Sequence, residues 1–179
     1  HEKIGITVVY VTHDQSEALT MSNRIAVFND GKIQQISTPD VLYEKPESSF
    51  VAQFIGENNQ LKGKVKSISG NKCVITTETG ENINSLKINV DNVGDNSTVS
   101  LRPERIAINS SEDKFENTFD AKVKELIYLG DHIRTRVDVC GTDQFIVKVP
   151  NSYQGSDLKE GATVKLSWKA SDSRALDIE

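Results

Sequence analysis

Long hydrophobic runs are missing from this 179-residue sequence. None approaches the ~18 residues that a bilayer-spanning helix requires, so no transmembrane helix is expected. A signal-peptide pattern is missing too, and a composition of 36% hydrophobic and 26% charged residues reads as a soluble, globular chain. Only two cysteines occur, Cys73 and Cys140, each in a strand-like run. With no Cys-x-x-Cys pair and no Cys/His spacing, a zinc site and a disulfide framework are both disfavoured. Two reduced, buried thiols of a cytosolic protein are expected instead. The three histidines, His1, His13 and His132, are too scattered to suggest a metal site. Aromatics are scarce at 6%, and positive charge is never in excess. The formal net charge is −5, with four basic against eight acidic residues in 1–60 and 17 against 18 in 61–179. A nucleic-acid groove wants clustered cations and stacking rings, so that partner class is disfavoured. The one methionine is Met21, and the opening His1-Glu2-Lys3 reads as the tail of a preceding helix. The sequence is therefore expected to be a C-terminal piece of a longer protein.

What is present is concentrated near the start. Val8-Val9-Tyr10-Val11 is β-branched and apolar without alternation, the pattern of a strand covered on both faces in a parallel sheet. Asp14 follows as a helix N-cap, with Glu17 three residues on completing a capping-box-like pair. His13 would then stand on the strand-to-helix corner, where open α/β folds bind ligands. Asn29-Asp30-Gly31 between two apolar runs signals a hairpin, because its turn needs positive φ. Thr38-Pro39 opens a helix that Pro46 closes. Ser48 or Ser49 opens another, with Phe50, Val51, Phe54 and Ile55 on a core-packing face and Gly56 as its stop.

Val11-Thr12-His13-Asp14-Gln15-Ser16-Glu17-Ala18 resembles the switch region, or H-loop, of ABC transporter ATPase subunits. Met21 to Val27, Asp30 to Ile33, Ser37 to Tyr43 and Phe54-Ile55-Gly56 continue the likeness to the importer group that serves sugars, polyamines and ferric ion. The resemblance implies that His13 touches the terminal phosphate of ATP and the attacking water in the complete dimer. A neutral imidazole suits that role because it both donates and accepts a hydrogen bond. Gly56-Glu57-Asn58-Asn59 looks most like polyamine-type members.

Glu57 to Gln60 has no apolar residue, and a boundary is placed there, giving an ATPase remnant in 1–58 and a second region in 59–179. Beyond it the sequence turns to short alternating strands: 64–68, 72–77, 99–101, 106–108, 121–129, 133–139, 145–149 and 164–168. Gly63-Lys64-Val65-Lys66 echoes Ala121-Lys122-Val123-Lys124, and Ser97 to Leu101 echoes Ala162 to Leu166. Two similar OB-like units that exchange strands are the expectation. Leu101-Arg102-Pro103-Glu104, with Tyr128-Leu129-Gly130 as a weaker mark, resembles the TOBE-type regulatory region of the same importer subunits. Arg102 and Glu104 flank a proline at a strand end, and they are read as architectural or interfacial, held in a local ion pair or turn contact.

The fold class expected is α+β: a P-loop ATPase remnant followed by an all-β OB-like TOBE region. The resemblance further implies ATP and Mg²⁺ in the full-length protein and a homodimer made through the regulatory region. It also implies transmembrane permease partners and a place on the inner face of the membrane without insertion into it. Ferric-ion or sugar transport, a non-enzymatic small-ligand or oxyanion module, and a purely structural dimerisation module are the alternatives. The run from Val8 to Val11, deprived of neighbouring strands, is expected to be rearranged, frayed or paired with another chain.

No GxxxxGK[ST] loop, Leu-Ser-Gly-Gly-Gln motif or apolar strand ending in Asp-Glu occurs, so this chain holds no phosphate cradle, Mg²⁺ ligand or catalytic glutamate. Calorimetry on the isolated chain is expected to show no micromolar binding of Mg-ATP. A micromolar dissociation constant would contradict that expectation.

Overall fold

A computed structural model describes residues 5–110, 114–153 and 158–178. Its elements run α1 (Gln15–Met21), β1 (Ile25–Asn29), β2 (Lys32–Ser37), α2 (Pro39–Glu44), α3 (Ser49–Phe54), then β3 (Asn59–Ser69), β4 (Lys72–Thr77), β5 (Asn82–Lys87), β6 (Asn96–Leu101) and β7 (Ala107–Ile108). The chain continues with β8 (Asn117–Tyr128), β9 (His132–Val139), β10 (Thr142–Pro150), β11 (Thr163–Trp168) and β12 (Ser173–Leu176). β1 and β2 form the hairpin read from Asp30-Gly31, both of which have positive φ. Strands β12-β5-β4-β3-β6 close into a barrel, and β10-β9-β8-β11-β7 form a five-stranded sheet beside it.

The internal repeat is visible in the pairing. β3 lies antiparallel between β4 and β6, and β8 lies antiparallel between β9 and β11. The ladder slips between Val65 and Ser67 against β4, and again between Val123 and Glu125 against β9. Lys66 and Lys124 are thus bulged at matching places in the two copies, and each bulge adds the twist that coils a long strand. A Cβ on Gly63 would stand 2.3 Å from the Thr76 carbonyl oxygen, so β3 crosses β4 too closely for any side chain there.

The exchange of strands is reciprocal. β6 leads through a 3-10 turn (Pro103–Arg105) to β7, which pairs with β11 of the other unit. β11 leads through a 3-10 turn (Ala170–Asp172) to β12, which returns to pair with β6 and, in parallel, with β5. One apolar core runs through both units, from Leu61, Ile75 and Val99 to Val137, Phe145 and Trp168. Trp168 lies fully buried, with Phe119 and Phe145 at ring-centroid distances of 5.2 and 6.1 Å.

Some expectations hold and others need correction. Deprived of neighbouring strands, Val8 to Val11 is frayed, one of the outcomes expected for it: it is extended chain without a ladder partner among the described residues, and Val9 and Val11 are 87% and 89% exposed. Its apolar pattern fits a covered strand, but nothing described here covers it. What 5–58 contributes is three short helices and one hairpin packed around Val27, Leu42, Val51 and Ile55. The α3 stripe also splits: Val51 and Ile55 are buried, whereas Phe54 is largely exposed and stacks on Phe50 at 5.7 Å. Finally, β5 and β12 escaped the sequence reading, because Asn82 to Lys87 and Ser173 to Leu176 are rich in polar and small residues.

The Trp168 Nε1 is buried without a hydrogen-bond partner among the described residues, so the ring acts there by volume. Trp168→Ala is expected to lose about 3–5 kcal/mol in urea unfolding. Trp168→Phe should lose clearly less, since no hydrogen bond is given up.

Candidate functional site

The His13 corner begins with extended chain and ends in α1. Asp14 Oδ1 accepts from the Ser16 and Glu17 N–H groups at 2.8 and 3.2 Å, capping the helix. The Glu17 carboxylate does not complete a capping box. It accepts instead from Thr12 Oγ1 at 2.7 Å and from the Tyr10 hydroxyl at 3.1 Å, while the Asp14 N–H donates to Thr12 Oγ1 at 2.9 Å. These bonds pin the approach to the corner from both sides. His13 itself is exposed at the bend. Two residues on, the Gln15 side-chain oxygen accepts from the Gly56 N–H at 2.8 Å, tying the corner to the end of α3.

Arg102 lies on the other side of that tie. Arg102 is only 6% exposed, and its guanidinium donates to four main-chain carbonyls: Nη1 to Ile55 at 2.6 Å, Glu57 at 3.1 Å and Ala52 at 3.3 Å, and Nη2 to Tyr43 at 3.0 Å. Those carbonyls lie at or just past the ends of α2 and α3, where helical carbonyls lack an internal partner. The guanidinium also lies over the Tyr43 ring at 4.1 Å, a cation–π contact. Burial lowers the Arg102 pKa, opposed by the neighbouring Tyr43 and Glu104. Gly56 is held between these groups with φ +70°, and a Cβ on it would stand 2.7 Å from the Tyr43 ring. Only glycine meets both demands.

The four motif residues therefore do different things. Leu101 is in the barrel core and Pro103 is buried in the 3-10 turn. Glu104 accepts from the Tyr43 hydroxyl at 2.6 Å, and the expected local pairing of Arg102 with Glu104 is replaced by contacts that reach back to α2 and α3. Burial and then the Glu104 carboxylate push the Tyr43 pKa up to about 12. Next to it, Arg105 Nη2 contacts both Glu44 carboxylate oxygens at 2.8 Å, a half-exposed pair that contributes little.

Residues 57–59 tie the same junction to the second unit. The Glu57 carboxylate pairs with Arg134 at 2.7 Å and Lys148 at 3.7 Å. The Asn59 side chain accepts from the Ile146 N–H and donates to the Ile146 carbonyl, both at 2.7 Å. Asn117 repeats the device in reverse, accepting from the Asn84 N–H at 2.8 Å and donating to its carbonyl at 2.9 Å. Asn59 opens β3 and Asn117 opens β8, so each unit clamps a strand of the other. Sequence reasoning missed Gln15, Tyr43, Glu57 and both asparagines. The repeat held a signal for the asparagines, since they stand at the same offset before the two Lys-Val-Lys runs.

Both cysteines are free, and burial raises both pKa values, that of Cys140 to about 12. Cys73 is on β4, whereas Cys140 is half-buried in the β9–β10 turn with positive φ. Among the described residues no group of three or more His, Cys, Asp or Glu side chains is arranged to hold a metal.

A family model described as "TOBE domain" matches residues 99–176, from the strand that presents Arg102 to the strand that closes the barrel. Those residues are similar to a TOBE domain. The spermidine/putrescine import ATP-binding protein PotA of Trichodesmium erythraeum is 39% identical over 159 residues, 85% of this chain and 42% of its own length. Its counterparts from Rubrobacter xylanophilus and Roseobacter denitrificans are 38% and 40% identical over 95% and 96% of this chain, and 45% and 48% of their own lengths. The chain thus spans about half the length of the curated relatives it matches. The resemblance to importer ATP-binding subunits read from residues 11–18 and 101–104 is borne out by these relatives. A solved structure of the cytoplasmic molybdate-binding protein ModG, with molybdate bound, matches with a TM-score of 0.59 at 15% identity, over 67% of this chain and 96% of its own. At that identity the likeness concerns the fold alone.

Arg102→Lys replaces a planar fork by a point charge that cannot reach four carbonyls. It is expected to lower the stability of the chain by about 3 kcal/mol in denaturant unfolding, the cost of carbonyls left without donors. Tyr43→Phe tests the neighbouring bond through pH. Because the folded pKa is raised above 10.0, the stabilisation from the phenol is complete below pH 10 and is lost as pH rises towards about 12. The stability difference between wild type and Tyr43→Phe should therefore shrink over that window.

Proposed function

We propose that this chain is the C-terminal, regulatory part of the ATP-hydrolysing subunit of a bacterial ABC importer for polyamines. The observation that carries the proposal is 38–40% identity to spermidine/putrescine import ATP-binding proteins over 85–96% of the chain. Residues 1–58 would be the end of the ATPase domain and 59–179 the regulatory region. ATP and Mg²⁺ act in the full-length protein. The residues present do not form a cradle for them: the sequence has no phosphate loop, and His13 is an exposed single group. In the complete dimer His13 would hydrogen-bond both the terminal phosphate and the attacking water, and its part would be to orient that water.

The TOBE region joins two subunits, and the exposed Tyr128 and Leu129 at the β8–β9 end offer an apolar contact. Transmembrane permease subunits are the remaining partners, met at the cytoplasmic face. No helix among the described residues is long and apolar enough to cross a membrane. An oxyanion-binding module has less support. Among the described residues, the cleft of about 420 Å³ is lined by a single cation, Lys62, and a single carboxylate, Glu78, with the other lining side chains uncharged.

The test is ATP turnover by the complete subunit assembled with its permease, wild type against His13→Ala. Loss of hydrolysis with ATP binding retained is the expected result. Unchanged hydrolysis would remove His13 from the reaction and leave the assignment without its catalytic residue.

A further inference from the structure

His13 and the TOBE motif are joined by an unbroken series of short contacts. Gln15, in the first turn of the helix that follows His13, accepts from the Gly56 N–H at 2.8 Å. The carbonyl of that same peptide, that of Ile55, and the carbonyl of Glu57 just beyond Gly56 both accept from Arg102 Nη1, at 2.6 and 3.1 Å. Arg102 leaves directly from the end of β6, a barrel strand. Gly56 sits between the two ends in a conformation open to glycine, with the Tyr43 ring closing the remaining space. The Glu57 carboxylate is in turn held by Arg134 and Lys148 of the second unit.

We propose that Gln15 is a positioning residue for His13, acting through Gly56 and Arg102, so that the placement of the β barrel governs hydrolysis rather than ATP binding. The proposal rests on the reading of His13 as the group at the transferred phosphate. The physical reason is the geometry of the corner. The Glu17 carboxylate fixes the chain before His13 through Thr12 and Tyr10, and the Gln15 amide fixes the chain after it. Removing the second tie leaves the imidazole attached to a seven-residue helix with no fully buried side chain of its own. A displacement of about 1 Å at a reacting group is enough to cost roughly a hundredfold in rate. Arg102 has the same influence from the far side, because it sets where the Gly56 peptide lies.

The experiment measures ATP turnover and ATP affinity of the complete subunit assembled with its permease. Variants are Gln15→Leu, Gln15→Glu, Arg102→Lys and the double Gln15→Leu/Arg102→Lys, with His13→Ala alongside. Gln15→Leu is expected to lower kcat roughly ten- to a hundredfold while KM for ATP stays within about twofold. Gln15→Glu, which keeps an acceptor oxygen, should restore most of the turnover. The double variant should lose little more than either single one, because both act on one peptide. Unchanged kcat in Gln15→Leu, no recovery in Gln15→Glu, or additive losses in the double variant would each overturn the proposal. His13→Ala separates it from the reading beneath it. If His13→Ala abolishes turnover and Gln15→Leu does not lower it, the positioning role fails alone. If His13→Ala hydrolyses normally, the reading of His13 fails first. Should Arg102→Lys fail to assemble, the two Gln15 variants decide the matter by themselves.

Discussion

A cation withdrawn from water has to be surrounded by acceptors, and the burial of Arg102 imposes that condition on the whole junction. Its guanidinium is satisfied by main-chain oxygens of two short helices, and those helices in turn have their last carbonyls satisfied by it. Neither α2 nor α3, at six residues each, is long enough to be stable through its own hydrogen bonds. The hairpin-and-helix segment is therefore held in register by a residue lying roughly fifty positions downstream. Tyr43, Gly56 and Glu104 follow from the same requirement. They supply the π-face, the space and the counter-charge that a buried guanidinium needs.

The two β units obey a different constraint, that of symmetry. A bulge at matching lysines, an asparagine clamp at matching strand starts and a 3-10 turn before each exchanged strand recur in both copies. Asn59 and Asn117 each present an amide to a main-chain N–H and C=O, imitating one rung of a β ladder across a boundary where no strand pairs. Buried polar groups of this kind are costly unless fully satisfied, and both are. The copies diverge in outcome: one closes into a barrel and the other remains an open sheet.

Much of this was legible in the sequence. Asp30-Gly31 marked the hairpin, Ser48 was one of the two caps named for α3, and the Lys-Val-Lys echo marked the repeat. Those signals are local or periodic. What was hidden depends on partners far along the chain. Ser85 and Ser173 belong to strands without apolar alternation, and they are buried because their hydroxyls meet each other at 3.0 Å. The run Val8 to Val11 is the opposite case: its pattern describes a covered strand, and without neighbouring strands it is left bare by the described residues, as its expected fraying implies. For the candidate site, the motif from Leu101 to Glu104 was visible but its contacts were not. Nothing in four consecutive residues says that Arg102 reaches Tyr43 and Ile55. His13 was identified by its neighbours in sequence, and its tie through Gln15 emerged only with the fold.

The exchanged strand also sets an order of events during synthesis. Four of the five barrel strands, β3 to β6, are complete once residue 101 has been made, but β6 and β5 receive their last neighbour only when residues 173–176 emerge. Between those moments the nascent chain carries an open sheet with two bare edges and an uncovered apolar face. Edges of that kind invite pairing with other chains. Closure joins residues more than seventy positions apart, a contact that forms slowly relative to local hairpins. The barrel that anchors Arg102 is accordingly among the last parts of the chain to become secure.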